Sequence, residues 1–598
     1  MPDTAQESPD TLRRAAQNAL QRCAWDEAEA ALAQLLAKNP NDHAALAMLA
    51  GLRLQQSRAP EAFHLTMRAV NAAPDCRDYK DKFLELARAG FSADDVEALG
   101  AAIAHCLKEP DLASQLENWA GLLLVQPGFD AAYRLKGRRS FDPENKAFFE
   151  GVTDFRPLLT PLFLEGIKSH VVCDPVFEDF IAAVRRNLLS ESTERRRLAQ
   201  PDRVRLAAAL SHYAFATDFI LDVTPEEDEL VAALAEGIET DAKAAEDESA
   251  VAVLACYRPL HSLKNARALL DTFRDSAALS AVMKTQIADP LRLAANAAAI
   301  PAITGIAAGL SSQVREQYES FPYPRWKYLS KNQLIRDWQA DACFQKTEGL
   351  LRGTGAAILV AGCGTGRETA TLAAVLPDAD ITAIDLSRAS LGYAALRAEE
   401  LGLANIAVRH ADILKLGELG TRFDYIAASG VLHHMADPLE GWRVLLSLLK
   451  PGGLMRVGLY SELGRRAVAA ARTAIAYGNY PPTREGMLRF RRAAPRLLDP
   501  TTLASLASLR DYYHLSMYRD LLFHVQEHRF DLPQIERALQ QLDLSFEGFH
   551  LSPDLLAAYR ESFPDDPAAL DLGNWDSFER KHPDSFASTY SFWVRPRR

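Results

Sequence analysis

Apolar positions recur along this chain with two different rhythms, and the change between them divides it. Over residues 10–110 they fall at helical spacing inside a longer repeat: Lys38-Asn-Pro40 returns as Ala72-Ala-Pro74, an offset of 74 − 40 = 34, and Asp26-Glu-Ala28 aligns with Pro60-Glu-Ala62 at the same offset. A third, degenerate unit ends near Glu109-Pro110, a spacing of 36. A period of this length predicts paired helices that bury their apolar faces only against neighbouring pairs. Ala28, Ala45 and Ala62 take positions where helices pack closely. Residues 111–300 continue in helical spacing, as in Phe177-x-x-Phe180-Ile-x-x-Val184 and Leu230-Val-x-x-Leu234, and read as a helical scaffold that extends the stack.

From residue 336 the rhythm changes to short buried runs separated by helical ones. Ile358 to Ala361, Ala379 to Asp385, Asn405 to Arg409, Phe423 to Ser429 and Leu454 to Tyr460 read as strands, the last preceded by a turn at Lys450-Pro-Gly-Gly453. Helical patterns between them, Leu391 to Leu401 and Leu439 to Leu449, make this half a doubly wound α/β sheet. Leu544 to His550 and Ser588 to Val594 are candidates for a closing hairpin, and more than 80 residues lie between Tyr460 and Leu544.

The first strand runs into Ala361-Gly362-Cys363-Gly364-Thr365-Gly366 and then into a helical pattern. A turn without β-carbons lets a ligand lie against backbone N–H groups at a helix N-terminus, which suits a nucleotide-like cofactor. Gly-x-Gly spacing also marks dinucleotide-binding proteins, but their third glycine would fall at Arg367, which counts against a nicotinamide enzyme. Asp385 ends the second strand about 20 residues on, where a carboxylate can accept both ribose hydroxyls.

Taken in order, the glycine turn, Asp385, Asp412, Val431-Leu-His-His-x-x-Asp-Pro438 and the Pro-Gly-Gly turn resemble the class I S-adenosylmethionine-dependent methyltransferases, a Rossmann-like family. With the helical repeats, which resemble tetratricopeptide repeats, the whole is similar to a bacterial-type tetratricopeptide-repeat protein fused to such an enzyme. The resemblance implies S-adenosylmethionine as cofactor, held by Ala361, Gly362, Cys363, Gly364 and Gly366, by Asp385 and Leu386 at the ribose, by Asp412 and Ile413 at the adenine, and by Ser429. Asp412 also reads as a strand-end cap. One departure stands out: the family often carries an acid two residues before the first glycine, and here that place is Val360. His433, His434 and Tyr460, with Glu462 beside them, fall where the family's fourth and fifth strands meet the cleft, and are candidates for a general base or for the cofactor wall.

Between scaffold and sheet, residues 301–335 hold Tyr318 and the dense Phe321 to Trp326 run. Small-molecule methyltransferases fold a similar segment over the cofactor, which makes Tyr318 a lid residue facing the sulfonium; a rigid interdomain wedge is the other reading. Insertions after the fifth strand commonly build the acceptor pocket in this family, and here one is expected over about 477–543. In it His524, Glu527 and His528 would share a helix face, as substrate-orienting groups or as a structural polar cluster. His524-x-x-Glu527-His528 formally matches an inverted zinc-peptidase motif, but no protease fold or third ligand accompanies it, and no metal is expected.

The net charge of −12 argues against a broad phosphate-binding face, and the basic cluster Arg195-Arg-Arg197 with Arg203 and Arg205 reads as a solvated helix surface rather than a nucleic-acid site. Seven cysteines without a C-x-x-C pair, and no basic-then-apolar leader, point to reduced thiols and a cytoplasmic protein. The most apolar stretch, Leu293 to Leu310, is interrupted by Asn296, Pro301 and Gly305 and reads as a connecting or core segment, not a membrane span. A partner bound by the helical repeats, a methyl acceptor, and an interaction scaffold that binds the cofactor without catalysis are the functional alternatives left open.

Overall fold

The computed structural model describes residues 8–89, 95–113, 115–116, 121, 127–152, 154–190, 199–324, 326, 329, 334–335, 351, 353 and 355–597. Cys343 and the Arg195–Arg197 cluster lie outside these. The N-terminal part is helical: Pro9–Gln21, Trp25–Lys38, His43–Gln55, Ala59–Ala72, Arg77–Arg88 and Val96–Leu107 follow one another. Helices that start at 25 and 59, and at 43 and 77, are each offset by 34 residues. Ser8, Asp42 and Asp95 cap three of the helices by accepting from backbone N–H groups, a contact worth about 1 kcal/mol each. Ala28, Ala45 and Ala62 are fully buried, so the helices approach closely enough that a larger side chain has no room.

This stack does not end near residue 110. One apolar core runs from Ala50 through Phe129, Phe180 and Tyr213 to Ile287, joining the hairpins to the scaffold helices Pro161–Ser169, Pro175–Ser190 and Gln200–Ala216. The apolar stretch from Leu293 is broken as its sequence suggested, into helices Asp289–Ala299 and Leu310–Ser320. Among the described residues no helix is long and apolar enough to cross a membrane.

The C-terminal part is built on a seven-stranded sheet: β1 (Ala357–Ala361), β2 (Asp380–Asp385), β3 (Ile406–His410), β4 (Phe423–Ser429), β5 (Leu449–Tyr460), β6 (Leu544–Phe549) and β7 (Thr589–Pro596). Their order is β3-β2-β1-β4-β5-β7-β6, with β1 to β5 parallel and β7 antiparallel to both neighbours. That is the sheet of a class I methyltransferase fold. The order reverses between β1 and β4, and ligands of open α/β sheets bind at such a switch point, beyond the carboxyl ends of the strands. Helices Arg367–Val375 and Arg388–Glu400 cover one face, Pro438–Ser447 and Leu532–Gln541 the other.

Three expectations about the edge need correction. β6 and β7 pair as foreseen but are not a tight hairpin, because helices Pro553–Ser562 and Leu572–Lys581 separate them. The turn Lys450 to Gly453 lies inside β5 as a bulge: Phe423 pairs with Leu449, and Tyr425 with Leu454. The insertion is also displaced from 477–543. It opens directly after β5, and its ends are tied where Phe530 N–H donates to the Tyr460 carbonyl and Glu462 N–H to that of Phe530, both at 2.8 Å. Leu532–Gln541, assigned to it from sequence, instead packs Leu532, Ile535 and Leu539 into the sheet core.

The two halves interlock. Ile220 of the scaffold shares a core with Tyr512, Tyr518 and Phe490 of the insertion. Arg491 pairs with Glu178 at 2.6 Å, and Arg388 Nη1 donates to the Ile300 carbonyl at 2.7 Å.

Candidate active site

At the switch point the chain leaves β1 through Gly362 and Gly364, with φ of 69° and 53°. Both are in the left-handed region, where a side chain is strained, and both are crowded. A Cβ on Gly362 would meet Val431 Cγ2 at 2.5 Å, and one on Gly364 would meet the Tyr323 carbonyl oxygen at 2.6 Å. The turn is held from outside by Tyr323, Pro324 and Trp326: Thr365 N–H donates to the Tyr323 carbonyl, the Thr365 hydroxyl to that of Pro324, and the Trp326 indole to that of Thr365. It is held from inside by Asp385, whose carboxylate oxygens accept from Gly364 N–H and Ser387 N–H, each at 2.8 Å. Burial pushes the Asp385 carboxyl up to about 6, against the pull of these two donors.

A cavity of about 680 Å³ opens over this turn, within the ~300–1,000 Å³ usual for small-molecule sites. Asp385, Leu386, Asp412 and Ile413 line one end, and Gly362, Cys363 and Gly364 its floor. Ala361 and Gly366 do not reach the wall; they set the path of the turn. Asp412 is buried, its oxygens accepting from the Ala307 and Leu414 N–H groups at 3.0 Å, so the capping geometry is present at this position. The opposite end is polar. There the Ser429 hydroxyl donates to Glu368 Oε1 at 3.3 Å, and Arg456 stands 3.6 Å from the same oxygen. Neither Glu368 nor Arg456 was singled out from sequence. Glu368 lies in the first turn after the glycines, a usual place for an acid beside a helix N-terminus, so its type carried no special signal.

The third side of the cavity is made by Tyr318 and Tyr323, by His434 and Tyr460, and by Asp520 from helix Leu515–Phe523 of the insertion. Tyr318, on helix Leu310–Ser320, donates its hydroxyl to Asp520 Oδ1 at 2.6 Å. The segment before the sheet thus divides between the two readings of it: Tyr318 faces the cavity, whereas Trp326 is buried as a wedge against Ala370. The two histidines also divide. His434 reaches the cavity, with Nδ1 2.7 Å from the Gln526 carbonyl; a carbonyl only accepts, so Nδ1 carries the proton and Nε2 a lone pair. His433 is fully buried behind Tyr460, the rings stacked at 3.7 Å, and it does not line the cavity. Its candidacy as a general base is corrected on that ground. The other face of Tyr460 carries the Arg465 guanidinium, 3.6 Å from the ring centroid.

The shared helix face of His524, Glu527 and His528 does not exist. The helix stops at Phe523, because His524 turns to extended geometry and donates no further helical bond. Glu527 is spent on Arg465, whose guanidinium it accepts at 3.0 and 2.8 Å, and His528 pairs with Gln526 at 3.0 Å. His524 stacks on His434 at 3.6 Å, behind the cavity wall. Its Nδ1 accepts from Gln526 N–H, so Nε2 carries the proton and donates to the Tyr318 oxygen at 3.2 Å. Glu462, outside the wall, pairs with Arg529 at 2.9 Å.

Residues 353–478 match the family described as a methyltransferase domain. That stretch carries a methyltransferase domain. An uncharacterized protein of Synechococcus sp. is 34% identical over 206 residues, which is 32% of this chain and 48% of that protein. A ubiquinone biosynthesis O-methyltransferase of Ruegeria pomeroyi is 37% identical over 100 residues, 17% of this chain and 39% of the relative. The chain thus spans less than half the length of these curated relatives. The solved structure of PKMT2 from Rickettsia typhi overlays 46% of this chain and 55% of its own with a TM-score of 0.35 at 19% identity.

The cofactor of a methyltransferase domain of this class is S-adenosylmethionine, and the residues present fit it. Each Asp385 oxygen keeps a second lone pair for a ribose hydroxyl after accepting one N–H. Leu386 and Ile413 offer apolar flanks, and Glu368 with Arg456 offers one charge of each sign to a zwitterionic amino-acid end. Where Val360 brings no acid, Glu368 is a carboxylate in the cavity lining. A metal is another matter. His434, Asp520 and His524 bring donor atoms within 4.8 Å of one another. The imidazoles, however, lie only 21° from parallel, so their lone pairs do not converge, and His524 Nε2 already carries a proton.

Proposed function

We propose that the whole chain is an S-adenosylmethionine-dependent methyltransferase whose helical half, tetratricopeptide-like over residues 10–110, recruits or positions the acceptor. The observation that carries this reading is the Gly364–Asp385 latch set at the switch point, beneath a cavity with a ribose-type acid at one end and a Glu368–Arg456 pair at the other. Bound there, the cofactor supplies an already activated methyl group, which leaves the protein to align the acceptor and exclude water. Asp385 would hold the ribose, Leu386 and Ile413 the adenine, and Glu368 and Arg456 the ammonium and carboxylate. The Tyr318 ring would face the sulfonium, its hydroxyl fixed by Asp520. Tyr460, clamped between Arg465 and His433, keeps its phenol oriented at the acceptor side. For the helical half, the 34-residue offset of helix starts and the fully buried alanines support a stacked repeat that presents a concave surface to a polypeptide.

Calorimetric titration of the full chain with S-adenosylmethionine tests the reading: one site is expected, competed by S-adenosylhomocysteine, with methylthioadenosine binding more weakly because it lacks the amino-acid end. Absence of binding at millimolar cofactor would refute it.

A further inference from the structure

We propose that the acceptor chamber of this methyltransferase takes an amine, and that Asp520 is the group that removes its proton. The proposal rests on the cofactor reading above and deepens it by naming the acceptor chemistry. The chamber wall brings two acceptors together. Asp520 presents a carboxylate and His434 presents the lone pair of Nε2, its other nitrogen being committed to the Gln526 carbonyl. Three donors beside Asp520 are committed: the Tyr318 hydroxyl goes to Asp520, His524 Nε2–H goes to Tyr318, and the Tyr323 hydroxyl lies 3.5 Å from Asp511, which leaves the Tyr460 phenol open.

The charges favour the same ligand. Asp520 is buried, and among the described residues no Lys, Arg or His nitrogen stands within 4 Å of its carboxylate as an ion-pair partner. The nearest cations face elsewhere. Arg465 lies buried against one face of Tyr460 and donates two bonds to Glu527, and Arg472 donates to the Leu522 and His524 carbonyls. An anionic acceptor would meet the Asp520 carboxylate, with Asp511 behind Tyr323. A hydroxyl supplies one hydrogen where two acceptors wait. An ammonium supplies three N–H groups, and the Tyr318 face suits a cation. Burial raises Asp520 to about 7 and Asp511 to about 6, while His434 is lowered to about 3 and stays neutral. Asp520 is therefore matched to accept a proton near neutral pH.

The step balances. An ammonium R–NH3⁺ gives one proton to the Asp520 carboxylate; the amine lone pair forms the N–C bond, the C–S bond breaks with its electron pair going to sulfur, and the methylated ammonium and the neutral thioether leave. Asp520 then returns its proton to water.

The test uses the full chain with methyl-tritiated S-adenosylmethionine and four probes: n-butylamine, n-butanol, and the blocked tripeptides Ala-Lys-Ala and Ala-Ser-Ala. Affinity for S-adenosylhomocysteine is measured first, so that a failure of the cofactor reading shows itself separately. Label is expected on an amine probe and on neither hydroxyl probe. Label on butylamine alone assigns a free amine as the source, and label on the lysine peptide alone a polypeptide side chain. Asp520→Asn should lower amine methylation by about 100-fold or more, with Asp520→Glu recovering part of it and both variants holding S-adenosylhomocysteine as the parent does. Label on a hydroxyl probe, no label on either amine from a chain that binds the cofactor, or full activity in Asp520→Asn would overturn the proposal.

Discussion

Asp385→Ala separates the account from its alternatives most sharply. The carboxylate does two things in the structure: it accepts from Gly364 and Ser387 N–H groups, and it faces the cavity end assigned to the ribose. Two charge-assisted bonds to hydroxyls are worth ~1.5–3 kcal/mol each, or ~3–6 kcal/mol together. At ~1.4 kcal/mol per decade this is a 10²- to 10⁴-fold rise in the Kd for S-adenosylhomocysteine. The pH dependence has a fixed sign. The carboxyl of the free protein, raised to about 6 by burial, must be ionised to receive both hydroxyls, so the parent's affinity weakens as pH falls through about 6. The stability of the free protein runs the other way: a raised carboxyl favours the protonated folded state, a contribution present at low pH and lost as pH rises from ~4 to about 6. Calorimetry at pH 7.5 and pH 5 on parent and Asp385→Ala reads both effects. Unchanged affinity in a folded Asp385→Ala protein would remove the ribose assignment, and a pH-independent parent would remove the electrostatic argument.

Further tests follow from the same geometry. Gly364→Val should abolish S-adenosylhomocysteine binding because its Cβ meets the Tyr323 carbonyl oxygen, which forces the turn and the Tyr323-Pro324 backbone apart; normal binding by a folded variant would place the cofactor elsewhere. Glu368→Gln should weaken S-adenosylhomocysteine about tenfold or more, as loss of a charged contact does, yet leave methylthioadenosine unchanged; equal losses for both would show that Glu368 acts on the turn and not on an ammonium. Tyr318→Phe should keep cofactor affinity within a few-fold but lower the thermal midpoint, since Asp520 loses a donor worth ~1.5–3 kcal/mol, whereas Tyr318→Ala should lose both; identical behaviour of Ala and parent would exclude a ring contact. A chain beginning near Ile300 should aggregate, because it loses the packing of Asp289–Ala299 on Arg388–Glu400 and uncovers the insertion face that holds Ile220, as light scattering would show; a monodisperse product would contradict the interlocked arrangement.

What could be read from sequence was what is local. Buried parallel strands leave short apolar runs, which is why the sheet from β1 to β5 and the glycine turn are visible within a few residues of their observed places. The 34-residue offset is likewise a local comparison. What escaped depends on contacts between distant residues. Tyr318 and Asp520 are 202 positions apart and meet only because the insertion folds back over the cavity. The end of the helix at Phe523 has no glycine or proline to announce it; Glu527 is drawn to Arg465 across the insertion, and the continued helical pattern through His528 was misleading. Which of His433 and His434 reaches the cavity was set by Tyr460 and Gln526, neither of them adjacent in sequence. The packing of the two halves on each other was hidden for the same reason, since Glu178 and Ile220 meet residues of the insertion far along the chain.

The most direct measurement is a crystal structure of the full chain with S-adenosylhomocysteine. The account predicts the ligand across the carboxyl ends of β1, β2 and β4, both ribose hydroxyls within hydrogen-bond distance of Asp385, the amino-acid end between Glu368 and Arg456, and the sulfur turned toward Tyr318. A ligand bound outside this cavity, or a ribose facing away from Asp385, would contradict it.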